Sequence, residues 1–155
     1  MDEINLYTFS EYMKENHLTI SEEDYLEMIY RLCYHKSYTR VTELALHLNV
    51  KPSSVSTMVK RLANKNLVKH SEYGIINLSD EGNRVGKILL DRHNSIEQFL
   101  QLLEINNNLI EETEKIEHTL NPNTIYKIKQ LVAFFNHNSE ILESLKDWIK
   151  EKNAT

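Results

Sequence analysis

The apolar positions of this chain fall in stripes at helical spacing, interrupted once by an alternating stretch. Tyr25, Met28, Ile29 and Leu32 repeat at i, i+3, i+4 and i+7, which predicts an amphipathic helix. Ser21, followed three residues later by Asp24, predicts its start as a capping box. VTELALHL, residues 41–48, predicts a short second helix, and Asn49-Val50 a turn. Pro52 suits the first position of a third helix, carried to about Asn64 by Val55, Met58, Val59 and Leu62. The alternating runs 67–70 and 75–78, around Glu72-Tyr73-Gly74, predict a β-hairpin. Ser79 then caps a long helix to about Leu103, with Val85, Ile88, Leu89, Ile96, Phe99 and Leu103 inside. Asn106–Asn108 breaks the chain, and helices near 109–120, 123–137 and 139–151 complete it. Leu109, Thr113, Ile116 and Leu120 form the inward stripe of the first of these. Ile141, Leu145, Trp148 and Ile149 make the last one amphipathic, with an apolar face that predicts docking.

Helix, short turn, helix, then hairpin is the order of a winged helix-turn-helix. The expected fold is mainly α. An N-terminal extension spans 1–20, a winged helix-turn-helix DNA-binding domain with a short β-hairpin wing spans 21–80, and an all-helical domain spans 81–155. Only three Gly and two Pro agree with helices joined by few tight turns. No apolar run reaches the roughly 18 residues of a membrane span, and the acidic N-terminus lacks a signal core. A lone cysteine, Cys33, excludes a disulfide framework and a CxxC zinc pair, and reads as a core or interface residue. A soluble cytoplasmic protein is expected.

The net charge of −5 argues against a nucleic-acid partner until its distribution is read. Residues 36–70 hold seven basic side chains and one acidic, a net +6, inside a chain whose remainder is −11. A local basic patch is the footprint of a phosphate-binding surface. In the predicted third helix, Ser53, Ser54, Ser56 and Thr57 are small hydroxyls able to reach phosphates or base edges, and Pro52 begins the helix. Lys51, Lys60 and Arg61 can neutralise phosphates. Lys36, Lys69 and His70 are expected near the DNA backbone as positioning contacts, while His35, His47 and His137 read as surface or packing residues.

Outside the patch, acidic and imidazole groups recur at ligand spacing. Asp24 and Glu27 stand at i, i+3 on the first helix, His93 midway along the long one, and Glu114, Glu117 and His118 at i, i+3, i+4 on the next. At about 100° per residue, the last three border the inward stripe, close to neighbouring helices without being buried as unpaired charges. Each segment alone also reads as a solvated helix face. Together, carboxylates with imidazole and no thiolate suit manganese or ferrous iron.

RVTELALHLNVKPSSVSTMVKRL, a short wing, DRH and then EKIEH, in that order, resemble the diphtheria-toxin-repressor family, and within it the compact manganese transport regulators. The match covers about residues 21 to 140. The resemblance implies a homodimeric, metal-activated repressor that binds palindromic double-stranded operator DNA of metal-uptake genes. It makes 81–155 a metal-binding and dimerisation domain, and makes Asp24, Glu27, His93, Glu114, Glu117 and His118 the ligands of two Mn²⁺ ions per subunit, with Fe²⁺ as the other candidate. No membrane, organic substrate or catalytic residue is implied. The family's larger members add an SH3-like domain for which this chain ends too early, and about eighteen residues precede the DxxE helix here. Two rival readings remain. One is a winged-helix regulator that senses iron, or an organic ligand or oxidant through Cys33; the other is a metal-dependent hydrolase using the carboxylate-histidine cluster.

Overall fold

The computed structural model describes residues 18–153, so the expected N-terminal extension lies almost wholly outside the described residues. The chain forms two compact units, the first ending at Leu90 and the second beginning at Asp91.

The first unit begins with α1 (Ile20–Cys33). Its cap is Thr19 rather than Ser21. The Thr19 hydroxyl accepts from the Glu22 amide, and the Glu22 carboxylate takes the Thr19 amide at 2.8 Å. Thr19 and Glu22 have the Thr-x-x-Glu spacing that Ser21 and Asp24 only approximate, and the longer glutamate reaches back to the cap amide. Asp24 is therefore left out of capping and is half-buried in the first turn. Glu22 also receives the Lys65 ammonium at 2.8 Å, which ties the start of α1 to the residue after α3. Burial alone would raise the Glu22 carboxyl, yet Lys65 and Thr19 bring it below its ordinary value.

Next come β1 (Thr39–Arg40), α2 (Val41–Leu48) and α3 (Pro52–Asn64). Asn49 turns the chain between the two helices in the left-handed region at φ 52°, a conformation that Asn tolerates better than most side chains. The wing is β2 (Val68–His70) and β3 (Ile75–Leu78), joined by a 3₁₀ turn over Glu72–Gly74. β3 is central. It pairs with β2 through Val68↔Leu78, Lys69↔Asn77 and His70↔Ile76, and with β1 through Thr39↔Ile76 and Arg40↔Ile75. β1 is absent from the sequence reading, because two residues show no period. Its Thr39 is fully buried and donates a hydrogen bond to Glu43 Oε2 at 2.7 Å, and Lys36 reaches the other Glu43 oxygen at 2.5 Å.

These elements close around one core. Leu26, Ile29, Leu44, Val55, Val59, Leu62, Leu67, Ile76, Val85 and Leu89 are all at 0% exposure. On α1 the deepest residues are Leu26 and Ile29, whereas Tyr25, Met28 and Leu32 of the predicted stripe are half-buried at its flanks. α4 (Asp80–Leu102) opens with Ser79, whose hydroxyl accepts from the Gly82 amide at 2.9 Å. A Cβ on Gly82 would lie 1.9 Å from the Leu67 carbonyl oxygen, so only glycine lets the helix pass the strand so closely.

In the second unit, the continuation of α4 is followed by α5 (Leu109–Glu117), α6 (Pro122–His137) and α7 (Ser139–Asn153). Asn121 caps α6 by accepting from the Thr124 amide at 2.9 Å. α5 ends three residues before the predicted Leu120, with His118 as its C-cap. Ile96, Leu100 and Val132 are buried here, while Ile110, Phe134, Ile141 and Trp148 stay exposed. Of the apolar face predicted to dock, Leu145 and Ile149 are half-buried while Ile141 and Trp148 are open, with Lys152 lying 5.9 Å over the indole ring. No helix among the described residues is long and apolar enough to cross a membrane.

Replacing Gly82 by Ala should destabilise the fold by about 3 kcal/mol, since the obstacle is backbone that cannot rotate away; chemical denaturation measures this. Glu43 yields a pH signature. Hydrogen bonds from Lys36 and Thr39 hold its carboxyl below the ordinary value of 4.5. A depressed folded value stabilises above the unfolded value and loses that contribution as pH falls through the folded one. Acid denaturation of Glu43→Gln should therefore show a shallower loss of stability as pH falls below that ordinary value of 4.5.

Candidate metal centre and nucleic-acid interface

Two of the predicted ligands lie on α1. Asp24 and Glu27 are one turn apart on one face, with Glu27 at 7% exposure and Asp24 half-buried. Arg31, one further turn along, forms an ion pair with Glu27 Oε1. The buried side of the same helix carries Leu26 and Ile29, so the core of the first unit fixes the direction in which the carboxylates point.

The other four predicted ligands come together in the second unit. His93 projects from α4, Glu114 and Glu117 from α5, and His118 from its C-cap. His93 Nδ1 lies 2.9 Å from Glu117 Oε2 and 4.0 Å from Glu114 Oε1. His118 Nε2 lies 3.5 Å from Glu117 Oε1. Glu117 is the centre of the group, at 1% exposure, whereas the Glu114 side chain is about half exposed. The sequence reading put Glu117 on the border of the inward stripe; the structure puts it in the stripe. Together with Thr113, at 0% exposure, it forms the buried line of α5, while Leu109 and Ile116 are half-buried. Thr113 offers a small side chain whose hydroxyl is satisfied by the Leu109 carbonyl at 2.8 Å, which leaves room for a large polar neighbour one turn on.

A carboxylate so deeply buried demands compensation, because desolvating it costs on the order of several kcal/mol. Neither Glu117 oxygen has a hydrogen-bond partner among the described residues, despite the approach of two imidazoles. The residues therefore fit a divalent cation. They supply carboxylate oxygens and imidazole nitrogens with no sulfur, and at their centre is a buried carboxylate whose oxygens lack hydrogen bonds. A bound cation would supply that compensation.

Three further residues touch the predicted ligands, and sequence reasoning missed them. Glu97 Oε2 lies 3.9 Å from His93 Nε2, and its i+4 spacing from His93 is a signal that could have flagged it. Arg31 stands at the same spacing from Glu27. Arg92, at 8% exposure, places Nη2 3.3 Å from His118 Nδ1 across 26 residues of sequence, for which no local signal exists.

The candidate nucleic-acid face of the first unit is α3 and its surroundings. Lys51, Pro52, Ser53, Ser54, Thr57, Lys60 and Arg61 are exposed, and Ser56 is half-buried. Val55, Val59 and Leu62 hold the opposite side in the core. Thr57 donates its hydroxyl to the Ser53 carbonyl at 3.1 Å. Lys69 and His70 are exposed on the wing strand β2, and Tyr73 at the wing tip is 92% exposed with φ 66°. Lys36 is occupied by Glu43, which leaves less of its charge for phosphate than the sequence suggests. Cys33 is buried, and burial pushes its thiol up to about 11, an environment that suppresses the reactive thiolate.

The chain is similar to known proteins over most of its length. Residues 17–76 match the family described as iron dependent repressor, N-terminal DNA binding domain, and residues 79–145 match iron dependent repressor, metal binding and dimerisation domain. The HTH-type transcriptional regulator MntR of Oceanobacillus iheyensis is 38% identical over 87% of this chain and 92% of that protein. The regulator of the same name from Listeria welshimeri is 40% identical over 83% and 91%. Among solved structures, IdeR of T. acidophilum aligns with a TM-score of 0.65 at 27% identity, covering 75% of this chain. The manganese regulator SloR aligns with a TM-score of 0.64 at 27% identity, covering 73%. The chain spans about half the length of those two solved chains, at 55% and 54%.

Two measurements follow. Mn²⁺ at a hundredfold excess over its dissociation constant should raise stability by about 2.7 kcal/mol, and Glu117→Gln should abolish most of that gain. Replacing Lys51, Lys60 or Arg61 singly by Ala should weaken binding to all DNA sequences alike. Each replacement should also reduce the salt slope of log K by about one.

Proposed function

Because the chain belongs to the iron-dependent repressor family, in its branch of compact manganese transport regulators, we propose that it is a homodimeric repressor activated by Mn²⁺. It is a DNA-binding transcriptional regulator that depends on a divalent metal, and not an enzyme. The proposed ligand set is Asp24, Glu27, His93, Glu114, Glu117 and His118, holding two ions per subunit. The observation that carries this reading is the Glu117 carboxylate, buried to 1% exposure between His93 and His118 with no hydrogen bond to either oxygen. Its hard oxygen donors and borderline nitrogens favour Mn²⁺, with Fe²⁺ the nearest competitor.

The chain's own residues perform the regulatory work. Asp24 and Glu27 present carboxylates from the helix that also supplies Leu26 and Ile29 to the winged-helix core. Any force on these carboxylates is felt by the core against which α3 is seated. Glu22 and Lys65 add a direct ion pair between α1 and the end of α3. A metal that binds one arrangement more tightly than another shifts the population toward it by that difference in affinity. In the DNA-bound form, α3 would enter the major groove of a palindromic operator of metal-uptake genes, with Ser53, Ser54 and Thr57 facing base edges or phosphates. Lys51, Lys60 and Arg61 would neutralise phosphates. The exposed Ile110, Phe134, Ile141 and Trp148 support a second copy of the chain as the partner of the helical unit. The site of action is the cytoplasm.

The high value of the Cys33 thiol disfavours an oxidant sensor, which needs a thiolate. Gel-shift titration of an operator fragment should show tight binding with Mn²⁺ and binding at least tenfold weaker in chelator. Equal affinity in both would sink the mechanism, and a Glu117→Gln protein with an undiminished Mn²⁺ response would sink that ligand.

A further inference from the structure

Each half of the proposed ligand set already holds a cation of the protein's own. On α1, Arg31 forms an ion pair with Glu27. In the helical unit, Arg92 lies 3.3 Å from His118 Nδ1. The second contact restricts the imidazole. A guanidinium has only donors, so Nδ1 must accept, and a neutral ring then carries its proton on Nε2. Nε2 lies 3.5 Å from Glu117 Oε1, with no hydrogen bond between them. A metal-ligating nitrogen must instead present a lone pair. With Arg92 in place, one lone pair of His118 is engaged and the other nitrogen is protonated. Ligation through Nδ1 requires Arg92 to leave. Ligation through Nε2 moves the proton to Nδ1, where two donors would face each other, and again Arg92 must leave. At Glu27 the exclusion is electrostatic, since the oxygen that holds Arg31 cannot serve a divalent cation at full strength.

We propose that Arg31 and Arg92 are internal competitors of the metal. They hold Glu27 and His118 in the metal-free protein and so set the cation concentration at which the sensor responds. This rests on the ligand set of the proposed function. In the metal-free protein each guanidinium brings positive charge to the ligands of its own unit. They also hold those side chains in place, which keeps the site formed. Their release is part of metal binding, and the stronger their hold on Glu27 and His118, the weaker the net affinity for the cation. A cation that interacts weakly with oxygen and nitrogen donors fails to displace them, so the arginines sharpen discrimination between cations as well as adjusting the threshold.

The test uses the full-length protein stripped of metal. Mn²⁺ binding is read from the electron-paramagnetic signal of the free ion in the wild type, Arg31→Met, Arg31→Lys, Arg92→Met and Arg92→Lys. Methionine removes the charge at similar length and should tighten Mn²⁺ binding by up to about fivefold at either position, the equivalent of one modest ion pair. Lys at position 31 should restore most of the wild-type affinity, since it can still pair with Glu27. In ¹⁵N spectra, His118 of the metal-free wild type should show an unprotonated Nδ1, and Arg92→Met should change that signature. Unchanged or weaker Mn²⁺ affinity in the folded Met variants would overturn the proposal. So would a protonated Nδ1 at His118 in the metal-free wild type. If Arg92→Met does not fold, Arg31→Met and the wild-type His118 spectrum still decide. A wild-type protein that binds no Mn²⁺ at all would instead refute the ligand set itself.

Discussion

A charged carboxylate at 1% exposure is the constraint around which the helical unit is arranged. Glu117 sits where a leucine would serve stability better, since a buried anion needs compensation that an apolar side chain does not. Its surroundings are consistent with that demand. Thr113 is small, and its hydroxyl is turned back onto its own helix at Leu109. Two imidazoles approach from different elements, His93 from α4 and His118 from the end of α5. The early end of α5 belongs to the same arrangement. Stopping the helix at Glu117 lets His118 act as a C-cap beside the carboxylate instead of continuing a regular face.

The winged-helix unit shows the opposite economy, in which almost every buried group is apolar. Its core is supplied by all three helices, the wing and the first part of α4. Its buried polar groups are Glu22, Glu23, Glu27 and Thr39; Glu27 belongs to the proposed ligand set, whereas Glu22 and Thr39 are structural. Glu22 caps α1 and pairs with Lys65, and Thr39 and Lys36 both reach Glu43. Their role is to fix where α1 and α2 begin. The direction of α1 then decides where Asp24 and Glu27 point, so the proposed sensing depends on side chains whose own bonds are purely architectural.

Much of this was legible along the chain because it is local. The α3 stripe of Val55, Val59 and Leu62, the Ser79 cap and the hairpin runs all appear where their periods and turn residues place them. The start of α1 was misread because two capping-box patterns overlap within six residues, and only side-chain reach separates them. β1 was invisible since its two residues pair only with a strand 35 residues away, at Ile75 and Ile76. In the site, the clustering of His93, Glu114, Glu117 and His118 agrees with their spacing, but the depth of Glu117 does not follow from it. Periodicity locates a face without saying how much protein covers it. Arg92 was the least accessible to sequence, because its partner lies on another helix.

The two sides of α3 are chemically independent. Val55, Val59 and Leu62 are locked at 0% exposure, whereas Ser53, Ser54 and Thr57 meet solvent. The proposed reading residues therefore lie outside the jigsaw of the core, where exchanges rarely shift stability by more than about half a kcal/mol. Over evolutionary time such a regulator can acquire new target sequences by single exchanges on that face. Its fold and its ion-sensing apparatus can be inherited intact, so target choice and signal detection drift as separate traits.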